Sequence, residues 1–185
     1  MAVQKSKELV FGHIKGISVG QIFNSRKELA AAGVHAYEMH GIWGRQEEGS
    51  SSIVLSGGYE DDIDELDYIL YTGQGGQDRP GGTQIADQEF TRGNKGLVLN
   101  KEYGLPVRVT RGFQVKNGPD KGYRYDGLYH VKEYERIKGK SGFYICRFHL
   151  ESEKNLKEIE EDLEDFLPHD YVPAERTKTE VERWK

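Results

Sequence analysis

The sequence predicts an α+β fold made mainly of β-strands. Short apolar runs are separated by glycine-rich turns, and glycine accounts for 23 of the 185 residues, above its usual share of about 7%. Helical signals are confined to one segment near the start and one near the end. The length suits one domain of ordinary size, and aromatic residues, at 11% of the chain, supply material for a core.

The first predicted helix begins after Ser25. Ser25 and Glu28 have the spacing of a capping box, in which two side chains satisfy free backbone N–H groups at a helix start. Leu29 and three alanines follow, and Gly33 is the kind of residue that commonly ends a helix. We therefore expect one short helix between Ser25 and Gly33.

Five segments are predicted as strands, because their apolar residues form short runs or alternate with polar ones. These segments are 53–55, 68–71, 107–111, 128–134 and 143–150. The alternation over 107–111 is typical of a half-buried strand. A turn at 138–142 predicts a hairpin from the last two strands, and residues 73–82 are predicted as a loop because they hold five glycines and a proline.

The two ends of the chain differ from its middle. Residues 1–10 resemble a lead-in to a domain at 11–150. Within 151–170, apolar residues recur at helical spacing up to Pro168 while the opposite face is acidic, which predicts an acidic helix. Residues 171–185 are polar and are expected to form a tail or a truncated linker.

The net charge of −5 conceals an uneven distribution of charge. Residues 151–185 hold 12 acids and 6 bases, whereas residues 106–150 hold 10 bases and 4 acids. A local basic surface for nucleic acid is compatible with this pattern, since phosphates respond to charge within a Debye length of about 10 Å. Ordinary solvated strand faces are the alternative.

Several function classes are disfavoured. A single cysteine, Cys146, excludes an intramolecular disulfide and a zinc site built from several cysteines. No apolar run is long enough to span a membrane, and the N-terminus lacks the apolar core of a signal peptide, so an intracellular location is expected. No cofactor is expected, and no residue is assigned a catalytic role.

The acidic run 60–67 invites a metal interpretation. Counted from Asp62, its sixth position is Asp67, whereas a calcium loop requires glycine there. No metal ligand is therefore assigned. The remaining alternatives are a solvated acidic turn, or a single carboxylate that points into a pocket while the rest face water.

Two glycine-rich segments, 56–62 and 71–78, carry the candidate site. Glycines let backbone groups approach a ligand closely, and tyrosines offer flat faces for stacking. A carboxylate accepts hydrogen bonds from an exocyclic amine such as N4 of cytosine. Tyr59, Tyr71 and Asp62 therefore predict a site for a planar, amine-bearing ring, with two core tyrosines beside two turns as the alternative.

The order of motifs over residues 11–150 resembles the SRA domain, also called the YDG or SAD-SRA domain, which reads methylated cytosine in DNA. The matching segments are FGH at 11–13, GVH at 33–35, HGIWGR at 40–45, IVLSGGYEDD at 53–62, YTGQGG at 71–76, NKGLVLN at 94–100, PVRV at 106–109, YDGLY at 125–129 and KSGF at 140–143. The resemblance implies a curved, partly closed β-barrel of PUA-like type, with flanking helices.

The resemblance also implies that the target base is flipped out of the duplex into a pocket. Tyr59 and Tyr71 correspond to the two aromatic faces that sandwich the base, and Asp62 corresponds to the acceptor for N4. Backbone groups are expected to contact the rest of the ring edge and to leave room for the 5-methyl group; they belong to Ser56, Gly57, Gly58 and Thr72.

Two loops are expected to enter the DNA, a thumb at Glu38 and Met39 and a finger at residues 81–84, which include Gly82, Thr83 and Gln84. This finger lacks the Asn-Lys-Arg sequence of the animal members that prefer hemimethylated CpG. We therefore expect a preference for fully methylated sites or a looser sequence context. The candidate phosphate contacts are Arg45, Arg108, Arg111 and Lys140.

The implied function is a non-catalytic reader of 5-methylcytosine in double-stranded DNA, as in modification-dependent restriction systems. A fused or separate nuclease and a dimer on DNA are the expected partners. The expected location is the bacterial cytoplasm in association with the nucleoid, or the nucleus of a eukaryote. The alternatives are a glycosylase-like enzyme that acts on a flipped base through Asp62, and a protein-interaction module built on the acidic helix 155–167.

Overall fold

A computed structural model describes residues 8–154 of the chain. These residues form eight strands and two helices, which confirms the mainly-β α+β class. In chain order the elements are β1 (Ile22–Phe23), α1 (Arg26–Ala31), β2 (Ile42–Arg45), β3 (Gly49–Leu55), β4 (Ile63–Asp64), β5 (Tyr68–Thr72), α2 (Arg92–Tyr103), β6 (Val107–Gly112), β7 (Tyr123–Lys138) and β8 (Tyr144–Ser152).

The strands form one sheet in the order β2-β3-β6-β7-β8-β5-β4, and β1 pairs with β7. Strands β3 and β6 are parallel, whereas β7 and β8 form the antiparallel hairpin that the sequence predicts. Within the described residues, β2 and β4 are the two ends of the hydrogen-bonded path, so the sheet is open rather than closed into a barrel.

Helix α1 begins as its sequence predicts. The Ser25 hydroxyl oxygen accepts a hydrogen bond from the Glu28 N–H at 3.1 Å, which satisfies one of the free donors of the first turn. The Glu28 carboxylate accepts from the Asn24 N–H at 2.8 Å rather than from Ser25. Gly33 has a φ of 79°, the left-handed conformation that favours glycine after a helix.

Helix α2 has no counterpart among the sequence predictions. Gly93 and Gly96 weaken its helical pattern, and Thr91 precedes it without a side-chain cap. Both glycines are required by tertiary packing, because a Cβ at Gly96 would lie 2.3 Å from Ser50 Oγ and one at Gly93 would lie 2.8 Å from Ile42 Cγ2. The two glycines therefore lower the helix propensity of this segment, but they allow α2 to pack closely on β2 and β3.

Both faces of the central strands are covered. On β3, Ile53 and Leu55 pack into a large cluster with Leu97 of α2, while Val54 packs into a second cluster with Leu29 of α1. All six residues of β6 are buried. The prediction of a half-buried strand at 107–111 is therefore wrong, because the polar side of that strand is also covered.

Arg108 lies on this covered side of β6 and is fully buried. Its Nε donates to the Val34 carbonyl at 3.0 Å and its Nη1 to the Gly12 carbonyl at 2.8 Å. Its guanidinium also lies 5.7 Å from the ring centroid of Trp43. The prediction that Arg108 contacts a phosphate is therefore wrong, since its Nε and Nη1 are directed to backbone carbonyls of the protein and its Nη2 is also buried.

Arg111 forms a buried ion-pair network at the end of β6. Its Nε and Nη2 each donate to the Asp64 carboxylate at 2.7 Å, and its Nη1 donates to Asp126 at 2.9 Å. Nη2 also donates to the Leu66 carbonyl at 2.8 Å. Arg111 is 1% exposed, so its prediction as a phosphate contact is also wrong; it joins β4 to β6 and β7.

The chain ends bear on two further predictions. Strand β8 continues through Ser152, two residues into the segment 151–170 that was predicted as helical. The rest of that acidic helix from residue 155, the tail at 171–185 and residues 1–7 lie outside the described part of the chain. Neither helix of residues 8–154 is long and apolar enough to cross a membrane.

Replacement of Arg111 by methionine should destabilise the fold strongly. Asp64 would remain largely buried without its cation, which typically costs about 3–5 kcal/mol, whereas Asp126 would keep its ion pair with Arg124. Urea unfolding measures this loss. The matched control is Lys101→Met, which removes an ion pair with the well-exposed Glu133 and should cost no more than about 1 kcal/mol. Equal losses in the two variants would contradict a structural role for the Arg111 network.

Candidate functional site

A cavity of about 350 Å³ lies where β3 and β5 end and the loops after them begin. Five residues of the predicted base pocket line it, namely Ser56, Gly58, Tyr59, Asp62 and Tyr71. The other walls come from the loop before β2, at 39–41, and from the glycine-rich loop, at 74–81. The volume is at the small end of ligand pockets, which span about 300–1,000 Å³.

Tyr71 forms a fixed aromatic wall of this cavity. It lies on β5 opposite Phe148 of β8 and is 3% exposed. Its hydroxyl donates to the Gly41 carbonyl at 3.1 Å. Glycine is required at position 41, because a Cβ there would lie 2.8 Å from the Tyr71 hydroxyl oxygen. Burial raises the pKa of Tyr71 well above its ordinary value, so the phenol remains neutral.

Tyr59 lies in the turn that follows β3 and is partly buried. Its hydroxyl oxygen accepts a hydrogen bond from the Gly75 N–H at 3.3 Å, which connects the segment 56–62 to the glycine-rich loop. Burial raises the pKa of Tyr59 as well. The two tyrosines thus reach one cavity from different segments of the chain.

Asp62 is held by the end of β5. Its Oδ1 accepts a hydrogen bond from the Thr72 N–H at 2.7 Å. Its neighbours in the acidic run are engaged elsewhere, since Asp61 accepts from the Lys140 N–H at 3.0 Å and Asp64 pairs with Arg111. Among the alternatives for the acidic run, the structure supports a single carboxylate in a pocket.

Burial raises the pKa of Asp62 to about 7. The hydrogen bonds from Thr72 act in the opposite direction, and the negative charges of Asp61 and Asp64 add to the rise. Near neutral pH the carboxyl group is therefore about half protonated. It can accept a hydrogen bond in both states, and it can donate one when protonated.

Three amide side chains brace the glycine-rich loop, and the sequence analysis missed all of them. Gln77 donates to the Gly58 carbonyl at 2.7 Å, Gln88 to the Gly73 carbonyl at 2.7 Å, and Asn94 to the Gln74 carbonyl at 2.9 Å. These partners lie 15 to 20 residues away along the chain. No local pattern marks such contacts, because only the fold brings the amide and the carbonyl together.

Some predicted residues lie beside the cavity rather than in its lining. Thr72 is buried and contributes its N–H to Asp62. A neighbouring cavity of about 320 Å³ is lined by Gly57, Gly82, Thr83 and Gln84. In the predicted thumb, Met39 is 71% exposed and lines the cavity of about 350 Å³ that contains Tyr59, Asp62 and Tyr71. Glu38 is exposed beside it.

Arg79 is a lining residue that the sequence analysis missed. It is exposed and lines the cavity of about 350 Å³. It lies in a tight turn, where the Asp78 N–H donates to the Thr83 carbonyl at 3.1 Å and the Gly82 N–H donates to the Arg79 carbonyl at 2.8 Å. The predicted finger at 81–84 therefore belongs to a turn that begins earlier and contains an arginine.

The other two candidate phosphate contacts are at least partly accessible. Arg45 pairs with Glu48 at 2.8 Å and lines a groove with Tyr37, His40 and Arg92. The Lys140 ammonium group donates to the Glu60 carbonyl at 2.8 Å. Contact of Arg45 and Lys140 with phosphates stays a prediction.

Asp62→Asn should change how stability depends on pH. The pKa of Asp62 is about 7 in the folded protein and about 3.9 in an unfolded chain. The folded state therefore binds the proton more tightly, and this group lowers the free energy of unfolding as pH rises from about 4 to about 7. The variant should lack that decrease in urea unfolding between pH 4.5 and pH 8.

The control for this prediction is Glu60→Gln, which removes the neighbouring exposed carboxylate. It should retain the wild-type pH dependence. If Asp62→Asn and the wild type have parallel profiles over this range, the pKa of Asp62 is not raised.

Comparison with known proteins matches residues 10–155 to the SAD/SRA domain family. The chain is 40% identical over 162 residues to the E3 ubiquitin-protein ligase UHRF1 of Rattus norvegicus, covering 76% of this chain and 21% of the relative. It is 40% identical over 171 residues to the histone-lysine N-methyltransferase SUVH4 of Arabidopsis thaliana, covering 85% of this chain and 27% of the relative. The chain thus spans only about a quarter or less of these relatives.

Solved structures that are similar to this chain include a restriction endonuclease and a DNA-bound SRA domain. The modification-dependent TagI restriction endonuclease has 43% sequence identity and a TM-score of 0.76, over 78% of this chain and 53% of that one. The SRA domain of SUVH5, solved bound to fully hydroxymethylated CG DNA, has 36% identity and a TM-score of 0.67, over 77% of this chain and 93% of that one. With its family match over residues 10–155, its open, mainly-β sheet and these relatives, the chain belongs to the SAD/SRA domain family.

Proposed function

We propose that this chain is a reader of 5-methylcytosine in double-stranded DNA and that the modified base enters the cavity after flipping out of the duplex. The observation that carries the proposal is the convergence of Tyr59, Tyr71 and Asp62 on one cavity. Two flat side chains and an acceptor match a planar ring that bears an exocyclic amine. Family membership supports it, since the SUVH5 SRA domain has been solved with methylated CHH DNA.

The energies are compatible with this role. Extrusion of a base from the duplex costs a few kcal/mol. Stacking on an aromatic side chain contributes about 1–3 kcal/mol per base, so two tyrosines and a hydrogen bond to Asp62 can offset that cost. One buried methyl group adds only about 0.8 kcal/mol. We therefore expect the preference for methylated over unmodified cytosine to be modest unless the fit around the methyl group is tight.

Met39 and Arg79 are the residues best placed to meet the duplex around the cavity. Both line its opening and both are exposed. Met39 offers an apolar side chain that can occupy the space left by the flipped base, as apolar wedges do in other DNA-bending proteins. Arg79 offers a fork of donors that suits either a phosphate or the edge of a guanine.

The reader is proposed to act without catalysis of its own, alongside a nuclease that is fused or separate. The similarity to the TagI restriction endonuclease supports a place in a modification-dependent restriction system. Dimerisation on DNA would allow bases on both strands to be flipped. An alternative enzyme acting on a flipped base is favoured by one observation, namely that the raised pKa of Asp62 suits a general base.

Fluorescence-anisotropy titration tests the proposal with one duplex in unmodified, hemimethylated and fully methylated forms, at one stated salt concentration. The wild type should bind a methylated form more tightly than the unmodified form. Tyr59→Ala should weaken binding of the methylated duplex about 5- to 100-fold, because one stacking face is lost. Asp62→Ala should remove most of the preference for the methylated duplex over the unmodified one.

Lys101→Gln is the matched control, because Lys101 lies on α2 outside the cavity lining. Its affinity should equal that of the wild type. Equal binding of all three duplexes by the wild type would refute the assignment of the cavity to 5-methylcytosine. Release of free base during incubation would instead establish the enzymatic alternative.

Arg79→Gln should weaken binding if Arg79 faces the duplex. A phosphate contact predicts a similar loss on all three duplexes and a salt slope that is smaller by about one. A guanine contact predicts a loss of about 1–3 kcal/mol that depends on the base pair beside the modified cytosine. An unchanged affinity at every salt concentration would place Arg79 outside the interface.

A further inference from the structure

The loop at 37–40 places an exposed apolar side chain at the opening of the cavity. Met39 is 71% exposed, and Glu38 and His40 on either side of it are also exposed. Exposure of the apolar Met39 side chain to water is not favourable in itself. The loop also has no helix or strand hydrogen bonds to hold it, since it is neither helix nor strand. Contacts from elsewhere in the fold must therefore determine where Met39 lies.

Arg26, the first residue of α1, makes contacts on both sides of Met39. Its Nη2 donates to the Tyr37 carbonyl at 2.8 Å and to the His40 carbonyl at 2.5 Å. The guanidinium carbon lies 5.9 Å from the ring centroid of Tyr123. One cation thus bridges the beginning and the end of the loop that carries Met39.

Two other side chains form hydrogen bonds at the end of this loop, with His40 and with the following Gly41. The ring of the buried His35 lies 2.9 Å from the His40 carbonyl and 2.7 Å from Ser52 Oγ. Burial lowers the pKa of His35 to about 3, so this ring is neutral. Tyr71 donates to the Gly41 carbonyl. The His35 ring also meets the Tyr37 ring edge-on, at 6.5 Å between centroids, but of these three anchors Arg26 is the one that hydrogen-bonds to the backbone of Tyr37, ahead of Met39.

Two of the three guanidinium nitrogens of Arg26, Nε and Nη2, are directed into the protein. Its Nη2 serves two backbone carbonyls, and its Nε is buried without a hydrogen-bond partner. A phosphate contact would need donors that face solvent, and this arrangement does not offer them at Nε or Nη2. The contacts therefore indicate an internal role.

We infer that Arg26 is a positioning residue for DNA binding, which fixes the loop at 37–40 so that Met39 stands beside Tyr71 at the opening of the cavity. This inference rests on the proposed function. Arg26 touches neither the base nor the phosphates. It acts through Met39, and a lysine should replace it only in part, because an ammonium group can donate to the carbonyls but lacks the planar guanidinium that lies over the ring of Tyr123.

A double-mutant cycle between Arg26 and Met39 tests this inference, with fully methylated and unmodified duplexes as probes. Arg26→Gln should weaken binding of the methylated duplex about tenfold, from the loss of charged hydrogen bonds, and Arg26→Lys should lose affinity to a smaller extent. In a Met39→Ala background, Arg26→Gln should cost less than about twofold, because the two residues act as one unit. Affinity for the unmodified duplex should change less than about twofold.

Amide hydrogen exchange gives a readout that does not depend on DNA. Arg26→Gln should accelerate exchange in residues 38–41 while the amides of β5 and β8 keep their wild-type protection. Lys27→Gln, which removes the adjacent exposed cation of α1, is the control and should change neither exchange nor affinity. Thermal unfolding identifies any variant that fails to fold, in which case Arg26→Lys carries the test.

Three outcomes would overturn the inference. They are an equal cost of Arg26→Gln with and without Met39, full retention of affinity in Arg26→Lys, and unchanged exchange in the loop. The first would indicate a general structural role, and the second a role of charge alone. Failure of the proposed function is distinguishable, because the wild type would then have no preference for the methylated duplex while the exchange result would still report on the loop.

Discussion

Burial of both faces of β3 and β6 is the constraint on which the rest of the structure depends. Apolar side chains of β3 alternate between two clusters, one covered by α2 and the other by α1, whereas β6 adds its valines to the first cluster and buries polar side chains on its other face. Each covering helix then supplies one of the anchors around the cavity. Asn94 of α2 holds the glycine-rich loop, and Arg26 of α1 holds the loop that carries Met39. The site is thus a consequence of how the sheet is covered.

Burial of both faces of β6 also changes the role expected for the basic residues of segment 106–150. The surplus of arginine and lysine over 106–150 suggests a surface for phosphates, yet Arg108 and Arg111 are both buried in networks with carbonyls and carboxylates. A guanidinium buried among fixed partners cannot form hydrogen bonds with a DNA phosphate. Arg79, by contrast, is exposed and lines the cavity, whereas Arg45 is partly exposed, pairs with Glu48 and lines a separate groove.

The cavity combines rigid and adaptable parts. Tyr71 is fixed by β5, by β8 and by its hydrogen bond to Gly41. Asp62 is fixed by Thr72 but carries a proton that it can lose near neutral pH. A wall that does not move reduces the entropy lost when a flat ring binds. A carboxyl group in either protonation state still accepts a hydrogen bond from an amine.

The sequence by itself determined the class of fold, helix α1, the β7–β8 hairpin and the residues that meet at the cavity, Tyr59, Asp62 and Tyr71. Those features depend on local signals, such as a helix cap, alternation and glycine turns, or on a motif order shared by a family. The tertiary structure alone decided α2, the burial of Arg108 and Arg111, the place of Arg79 in the finger turn, and the braces from Gln77 and Arg26. Apart from the turn at Arg79, whose hydrogen bonds are local, the deciding partner is distant in sequence. A Cβ at Gly96 would clash with Ser50, and Arg26 donates to the Tyr37 carbonyl; no local pattern contains that information.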